Sequence, residues 1–262
     1  MNIALITGAS SGMGQELVRR IADCFPSIDE IWITARREER LLQLRHEFPG
    51  RIRCFPGGLT EEDTITEIKA ALERERPVVR ILGNAAGFGK IGRVGEIPAG
   101  DTAGMLQVNC MALTALTEAV LPFLKSGSRI LNFASAAAFL PQPGFAVYAA
   151  TKAYVLSYSL ALGRELSARG ITVTAVCPGP VATEFFSVAE ENAAAPAYKR
   201  IFMAKTGRVV DRALLDARYG KAVSVYGLPM QLFRLIAKLL PHGILLRFYE
   251  RQGHTGIRHE RI

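Results

Sequence analysis

Cysteine and histidine are scarce in this chain, and neither is arranged as a ligand set. The 262 residues include four of each, and no two cysteines form a Cys-x-x-Cys pair. Closely paired cysteines are typical of zinc and redox sites, and regularly spaced ones in a short chain indicate a disulfide framework. We therefore expect reduced thiols and no metal site. The residues concerned are Cys24, Cys54, Cys110, Cys177, His46, His242, His254 and His259.

Long apolar runs and clustered charge are also missing. No run of about 18 apolar residues is present, so no membrane-spanning helix is predicted. The residues from Asn2 to Gly8 lack the charged and apolar regions of a secretion signal, which favours a cytoplasmic protein. The net charge is +8, but Lys and Arg are spread along the whole chain without a tract. This distribution argues against nucleic-acid binding and favours an anionic cofactor or substrate.

Short apolar runs of β type alternate with helical patterns along most of the chain. Such strands, separated by helices, are typical of a parallel sheet covered on both faces. Right-handed crossovers then give an α/β fold, a Rossmann-type, doubly wound, parallel seven-stranded sheet in a single domain. We expect 1–227 to form this domain and 228–262 to form an amphipathic helix and a basic tail. The predicted strands are Ile3–Thr7, Ile31–Thr34, Ile52–Phe55, Val78–Leu82, Arg129–Phe133, Ile171–Val176 and Ala222–Tyr226; the predicted helices are Met13–Cys24, Glu38–Phe48, Glu61–Glu75, Thr102–Leu124 and Ala146–Arg169.

A glycine-rich turn follows the first predicted strand and leads into the first helix. It reads Thr7-Gly8-Ala9-Ser10-Ser11-Gly12-Met13-Gly14. Glycines there permit a tight turn and close approach of a pyrophosphate, which the N–H groups of the helix N-terminus bind, so the turn predicts a dinucleotide site. The letters Gly8-x-Ser10-x-Gly12 also match a serine-hydrolase elbow. That elbow normally follows a central strand and needs an acid and a histidine downstream, so the hydrolase is kept only as an alternative.

Two arginines follow the second predicted strand. NAD-binding folds place an acid near this strand end to bind the ribose 2′-hydroxyl, whereas an arginine there accommodates the 2′-phosphate of NADP. Arg36 and Arg37 stand at this place, and no acid appears before Glu38. We therefore predict NADP(H) rather than NAD(H) as the cofactor. A solvated basic start to the second helix is the competing interpretation.

Tyr148 and Lys152 are four positions apart on a predicted helix, and Ser135 lies thirteen positions before the tyrosine. Residues at this helical spacing share a face. An ammonium group beside a phenol favours phenolate, so we expect the pKa of Tyr148 to lie below its usual value of about 10. Such a tyrosine exchanges a proton with a carbonyl or alcohol oxygen near neutral pH, and a serine hydroxyl can hold the same oxygen. The three residues predict interconversion of ketones and alcohols.

Together these features resemble the short-chain dehydrogenase/reductase family, over about residues 1–185 and more loosely to about 226. Asn84-Ala85-Ala86-Gly87 is similar to the family's Asn-Asn-Ala-Gly segment, and the run from Pro178 to Thr183 is similar to its Pro-Gly segment near the nicotinamide. The resemblance implies hydride transfer from the cofactor, with Tyr148 as proton donor, Ser135 orienting the substrate oxygen and Lys152 binding the nicotinamide ribose. It also implies that Asn109 holds a water in a proton relay.

The resemblance assigns the remaining cofactor contacts and also shows two departures. Ala85 replaces a second asparagine that helps to stabilise the sheet. Gly58 replaces an aspartate that reads adenine, so we expect backbone groups of Leu59 to bind adenine. The expected cofactor-binding residues are Thr7, Gly8, Ser10, Ser11, Gly12, Met13, Gly14, Arg36, Arg37, Leu59, Asn84, Ala85, Ala86, Gly87, Tyr148, Lys152, Pro178, Gly179, Val181 and Thr183.

Loops at the carboxyl ends of the strands are expected to bind the substrate. The candidate lining residues are mostly apolar and predict a lipophilic ketone or alcohol, with core packing as the competing interpretation. A lid is expected at about 184–205. The lining candidates are Phe88, Ala136, Phe139, Pro143 and Phe145.

The predicted function is an NADPH-dependent carbonyl reductase. A non-catalytic NADP(H)-binding sensor on the same fold is the alternative, against which the complete catalytic set argues. The family implies a homodimer or homotetramer that pairs through the helix of Tyr148. The basic amphipathic segment 229–240 is interpreted as a cover for the pocket or a subunit interface, with weak contact to a membrane surface as the other possibility.

Overall fold

A computed structural model of the chain describes residues 1–190 and 203–251. Seven strands form one parallel sheet in the order β3-β2-β1-β4-β5-β6-β7, which confirms the predicted fold class. The last strand is only two residues long, shorter than predicted. The strands are β1 (Asn2–Thr7), β2 (Glu30–Ala35), β3 (Ile52–Pro56), β4 (Val78–Asn84), β5 (Arg129–Phe133), β6 (Thr172–Val176) and β7 (Val223–Ser224).

Helices lie between the strands, close to where the sequence predicts them. The predicted helix Thr102–Leu124 begins three residues early, at Ala99, and a π-helical turn (Gln107–Ala112) divides it. The helices are α1 (Gly12–Cys24), α2 (Glu38–Glu47), α3 (Glu62–Glu75), α4 (Ala99–Leu106), α5 (Leu113–Val120), α6 (Ala146–Glu165), α7 (Phe185–Ala189), α8 (Thr206–Arg218), α9 (Leu228–Leu239) and α10 (His242–Arg251).

The two largest apolar clusters of the described core lie on opposite faces of the sheet. Successive side chains of a strand point to opposite faces. Accordingly Leu5 of β1 packs in one cluster, against α3, α5 and α6, and Ile6 packs in the other, against α1, α2 and α8. This two-sided burial explains why the strands are apolar throughout instead of alternating.

The helical stretch Ala99–Phe123 is long and apolar enough to cross a membrane by length and composition alone. The sequence analysis did not find this stretch because it looked only for uninterrupted apolar runs. Leu116 and Val120 in this stretch are fully buried and pack in the cluster with Leu5. The core helices of globular proteins meet the same criterion.

The sheet order places the candidate site. β1 lies between β2 and β4, so the connections after β1 and β4 leave in opposite directions and open a crevice at the carboxyl ends of the strands. The glycine-rich turn, the segment after β4, Ser135 after β5 and the Pro-Gly segment after β6 all lie at this edge.

Candidate active site

The glycine-rich turn forms a bare backbone cradle. Gly8 and Gly12 have φ of 66° and 56°, a left-handed conformation that favours glycine. A Cβ on Gly14 would collide with the Gly8 carbonyl oxygen, so only glycine lets α1 start this close to the turn. The Thr7 hydroxyl accepts a hydrogen bond from the Ala86 amide at 3.0 Å, which ties the turn to the segment after β4. Side chains at these three glycines would fill the cradle. Because the glycines leave the backbone bare, the cradle fits a pyrophosphate.

The Pro-Gly segment after β6 borders the same cradle. The Pro178 carbonyl accepts a hydrogen bond from Ala136 at 2.8 Å, and a Cβ on Gly179 would collide with Met230 of α9. The Thr183 methyl group lies 3.2 Å from where a Gly12 Cβ would stand. A cavity of about 640 Å³ opens between the two segments. Its lining residues are Ser11, Gly12, Gln15, Glu16, Arg40, Ala182, Thr183, Glu184 and Thr206.

Arg37, the residue before α2, reaches back to the glycine-rich turn. Its Nε and Nη2 donate to the Ser10 hydroxyl at 3.3 and 3.2 Å. Arg40, which the sequence reasoning missed, donates to the Ser10 carbonyl at 3.3 Å. The spacing of three positions between the two arginines was an available signal, because it places them on one helical face. Arg36 is exposed and, within residues 1–190 and 203–251, makes no such bond.

The side chain of Asn84, a predicted cofactor-binding residue, is bonded within the sheet. It is buried, and its amide donates to Thr117 at 3.0 Å and to Asn132 at 2.8 Å. As the last residue of β4 it therefore ties that strand to β5 and α5. The neighbouring Ala85 packs against the core. In this chain Asn84 itself links the sheet, so the replacement at Ala85 leaves that link in place.

Gly58 and Leu59 lie on the turn after β3, where the family places an aspartate. The Glu61 carboxylate comes within 2.6 Å of the position that a Cβ on Gly58 would occupy. The carboxylate of Glu61, three positions further along the chain, thus lies next to Gly58. Sequence reasoning missed it because the departure was judged at position 58 alone.

Ser135, Tyr148 and Lys152 lie together at the inner end of the crevice. Ser135 begins a short 3-10 turn, and its hydroxyl accepts from the Ala137 amide at 3.1 Å. Tyr148 and Lys152 are buried on the inner face of α6. The Lys152 ammonium donates to the Phe133 carbonyl at 2.8 Å and lies 5.7 Å from the centre of the Tyr148 ring.

Burial dominates the electrostatics of this pair. It raises the pKa of Tyr148, although a hydrogen bond with Ser135 acts in the opposite direction. It lowers the pKa of Lys152 to about 8. The expected lowering of the Tyr148 pKa is therefore wrong, since desolvation of the phenol outweighs the hydrogen bond with Ser135. Tyr148 is held as a neutral phenol, the form that donates a proton.

Asn109 is fully buried in the π-helical turn. Its amide nitrogen donates to the Phe88 carbonyl at 2.9 Å and to the Thr151 hydroxyl at 3.0 Å, and its oxygen accepts from the Phe88 amide at 3.1 Å. A Cβ on Gly87 would lie 2.9 Å from the Asn109 oxygen and 3.2 Å from the Lys152 ammonium. Asn109 therefore fixes the loop after β4 beside Lys152.

Aromatic rings surround Tyr148. Phe145 stacks on it at 4.3 Å and Phe185 of α7 lies 5.3 Å away, measured between ring centres. Phe88 and Phe186 belong to the same apolar cluster.

The other predicted lining residues lie apart from these rings. Phe139 packs on Phe233 of α9, with 6.4 Å between ring centres, Ala136 is buried and Pro143 is exposed. In the predicted lid 184–205, residues 191–202 lie outside the described residues.

Neither hydrolase nor metal geometry is present in the described part of the chain. The Ser10 hydroxyl accepts from Arg37, and no described histidine bonds to it. No three His, Cys, Asp or Glu side chains come together there as a metal site. Within these residues the glycine-rich turn therefore lacks the partners of a nucleophilic serine.

The comparison with known families agrees with this geometry. Residues 2–194 match the family described as short chain dehydrogenase. The chain belongs to the short-chain dehydrogenase family. It is accordingly an oxidoreductase that acts on CH–OH donors, and the predicted family is confirmed.

Named relatives and solved structures are similar along much of this short-chain dehydrogenase. Sulfoacetaldehyde reductase 2 of Chromohalobacter salexigens is 37% identical over 194 residues, which cover 70% of this chain and 74% of the relative. A short-chain dehydrogenase from Sphingobium yanoikuyae, solved in complex with NADPH, has a TM-score of 0.75 and 28% identity over 100% of this chain and 98% of its own. The bulky-bulky ketone specific alcohol dehydrogenase from Comamonas testosteroni has a TM-score of 0.71 and 26% identity over 100% and 97%.

Proposed function

We propose that this short-chain dehydrogenase is an NADPH-dependent reductase that interconverts a lipophilic ketone and its secondary alcohol. The buried phenol of Tyr148, beside Lys152 and within a wall of aromatic rings, carries the proposal. A neutral phenol is the form required to protonate an alkoxide as it develops. The complete set of Asn109, Ser135, Tyr148 and Lys152 argues against a sensor that only binds the cofactor.

Each polar residue has a separate task in the proposed reaction. When bound, the nicotinamide cofactor supplies the hydride. Tyr148 donates the proton to the substrate oxygen, and the Ser135 hydroxyl binds and orients that oxygen. Lys152, buried between the Phe133 carbonyl and Gly87, binds the ribose hydroxyls. Asn109 holds Phe88 and Thr151 in place, and the family's mechanism implies that it also orders the relay water.

NADPH is the proposed cofactor. The donors around Ser10 and Arg37 form a site for the 2′-phosphate, which NADH lacks. The similar Sphingobium enzyme was solved with NADPH. The cradle of Gly8, Gly12 and Gly14 accommodates the pyrophosphate.

A lipophilic substrate is proposed from the rings around Tyr148. Phe88, Phe145, Phe185 and Phe186 give the substrate pocket an apolar wall, which favours a carbonyl compound with apolar substituents over a small ionic one. The similarity to a bulky-ketone alcohol dehydrogenase supports the same substrate class.

We further propose a homodimer or homotetramer paired through α6. Tyr154 and Leu160 of α6 and Met111 of the adjoining π-turn are exposed apolar residues, a feature typical of interfaces. The C-terminal helix α9 turns its Phe233 toward Phe139. Its opposite side exposes Leu228, Leu232, Leu235 and Leu239, which suit a second subunit contact or a membrane surface. A monomer by light scattering would contradict the assembly.

Tyr148→Phe tests the proposed chemistry. The variant keeps the ring that packs on Phe145 and Phe185 and removes only the proton donor. We expect turnover of lipophilic ketones to fall roughly 100- to 10,000-fold while NADPH still binds in a direct titration. Tyr219→Phe, which removes the same hydroxyl group from an exposed tyrosine after α8, is the control. Near-normal turnover of Tyr148→Phe would rule out the mechanism.

A further inference from the structure

Two arginines hold one carboxylate at the outer end of the cofactor crevice. Arg37 Nη1 donates to Glu184 Oε2 at 2.8 Å, and Arg40 Nη1 donates to Glu184 Oε1 at 2.6 Å. Each carboxylate oxygen thus has its own guanidinium group. Both arginines also contact Ser10 of the glycine-rich turn. The ion pairs therefore connect α2 to the segment after β6, across the edge of the cradle.

This cluster has the composition of an anion site. A phosphate and a carboxylate present their oxygens to guanidinium groups in the same way, and a serine hydroxyl adds another donor. The hydrogen bonds from Arg37 and Arg40 lower the pKa of Glu184, so its carboxylate is ionised at neutral pH. The arginines proposed to bind the cofactor 2′-phosphate are thus already bound to a negative group of the protein, the Glu184 carboxylate.

We propose that Glu184 competes with the 2′-phosphate of NADPH for Arg37 and Arg40, and is thereby a residue that determines cofactor specificity. The inference rests on the proposed NADPH-dependent function. A phosphate that binds these guanidinium groups displaces the Glu184 carboxylate from at least one of them. NADH carries a hydroxyl at this position and leaves both ion pairs intact. Glu184 therefore weakens NADPH binding and leaves NADH binding unchanged.

The exposure of the three side chains limits the size of the effect. The exposed fractions are 45% for Arg37, 36% for Arg40 and 47% for Glu184. Ion pairs this exposed are screened by water and salt, and each changes an equilibrium constant by about fivefold at most. We expect removal of the Glu184 charge to tighten NADPH binding roughly three- to tenfold.

Glu184→Gln tests the competition by direct binding. Calorimetric titrations of the full chain with NADPH, NADH, adenosine 2′,5′-bisphosphate and AMP separate the 2′-phosphate from the rest of the ligand. The two ligands that carry the 2′-phosphate should bind roughly three- to tenfold tighter to the variant, and the other two within about twofold of wild type. The shorter side chain of Glu184→Asp cannot hold both arginines at these distances. This variant should show an intermediate gain in affinity for the two ligands that carry the 2′-phosphate.

Glu47→Gln is the matched control. Glu47 also pairs with an arginine through both carboxylate oxygens, but with Arg19, and it is not among the residues that line the cavity. The variant removes the same charge outside the crevice and should change none of the four affinities by more than about twofold.

Three results would overturn the inference. They are unchanged binding of the bisphosphate to Glu184→Gln, an equal gain for all four ligands, and weaker binding of both cofactors, which would make Glu184 a clasp over the cofactor. Wild-type turnover is measured separately with both cofactors. A preference for NADH there would refute the proposed cofactor, whereas the bisphosphate titration would still decide the role of Glu184.

Discussion

The inner and outer ends of the cofactor crevice differ in what controls their charged and polar groups. At the inner end, Tyr148 and Lys152 are buried, and desolvation sets their pKa values. At the outer end, Arg37, Arg40 and Glu184 are exposed, and ion pairs hold them. Burial makes every atom at the inner end costly to change, while exposure makes the outer end adjustable and sensitive to salt. Chemistry needs the fixed geometry, whereas a choice between two cofactors needs only a difference in charge.

The largest expected effect comes from Lys152→Met at the inner end. Loss of the ammonium should lower turnover at least about 100-fold, because the proposed ribose contact and proton route both end at this group. Lys238→Met, at an exposed lysine of α9, should keep wild-type turnover. Steady-state kinetics with NADPH and a lipophilic ketone measures both, and near-normal rates for Lys152→Met would show that the inner end does not depend on this charge.

The same variant tests the desolvation of Lys152. The lysine pKa is about 8 in the folded protein and 10.5 as its ordinary value, so between these pH values the unfolded chain binds more protons. Wild-type stability should therefore rise from pH 8 to 10.5 relative to Lys152→Met, by roughly 3 kcal/mol. Urea unfolding across this range measures the difference. If the free energy of unfolding depends on pH in the same way for the two proteins, burial does not shift the pKa of Lys152.

The sequence was sufficient for the fold and for the order of the site residues, but not for their surroundings. Alternating strands and helices predict the seven-stranded sheet, and the spacing of Tyr148 and Lys152 predicts their shared face. The pKa of Tyr148 was predicted in the wrong direction because its burial depends partly on Phe185 of α7, which no local pattern connects to it. Glu184 was missed as a partner for the same reason, since it lies 147 positions from Arg37.

A smaller effect is expected from crowding the inner end with one methyl group. In Gly89→Ala the added Cβ would stand 2.6 Å from the Tyr148 ring and 3.0 Å from Phe145. Overpacking of this kind costs about 1 to 3 kcal/mol and displaces the ring, so we expect turnover to fall about tenfold. Gly100→Ala is the matched control, because no atom lies within 4 Å of its added Cβ. Equal kinetics for the two variants would mean that the inner end tolerates movement of Tyr148.

The smallest effect should come from single arginines at the outer end. Arg37→Gln removes the donor to Ser10 and should weaken NADPH binding roughly fivefold, with less than a twofold change for NADH. Arg36→Gln, which removes the same charge one position earlier but no described hydrogen bond, should change neither affinity by more than about twofold. Because the outer end is exposed, added salt should weaken NADPH binding to the wild type more than to Arg37→Gln. Equal losses for NADPH and NADH in Arg37→Gln would remove the 2′-phosphate from this end of the crevice, and with it the contrast between a fixed inner end and an adjustable outer one.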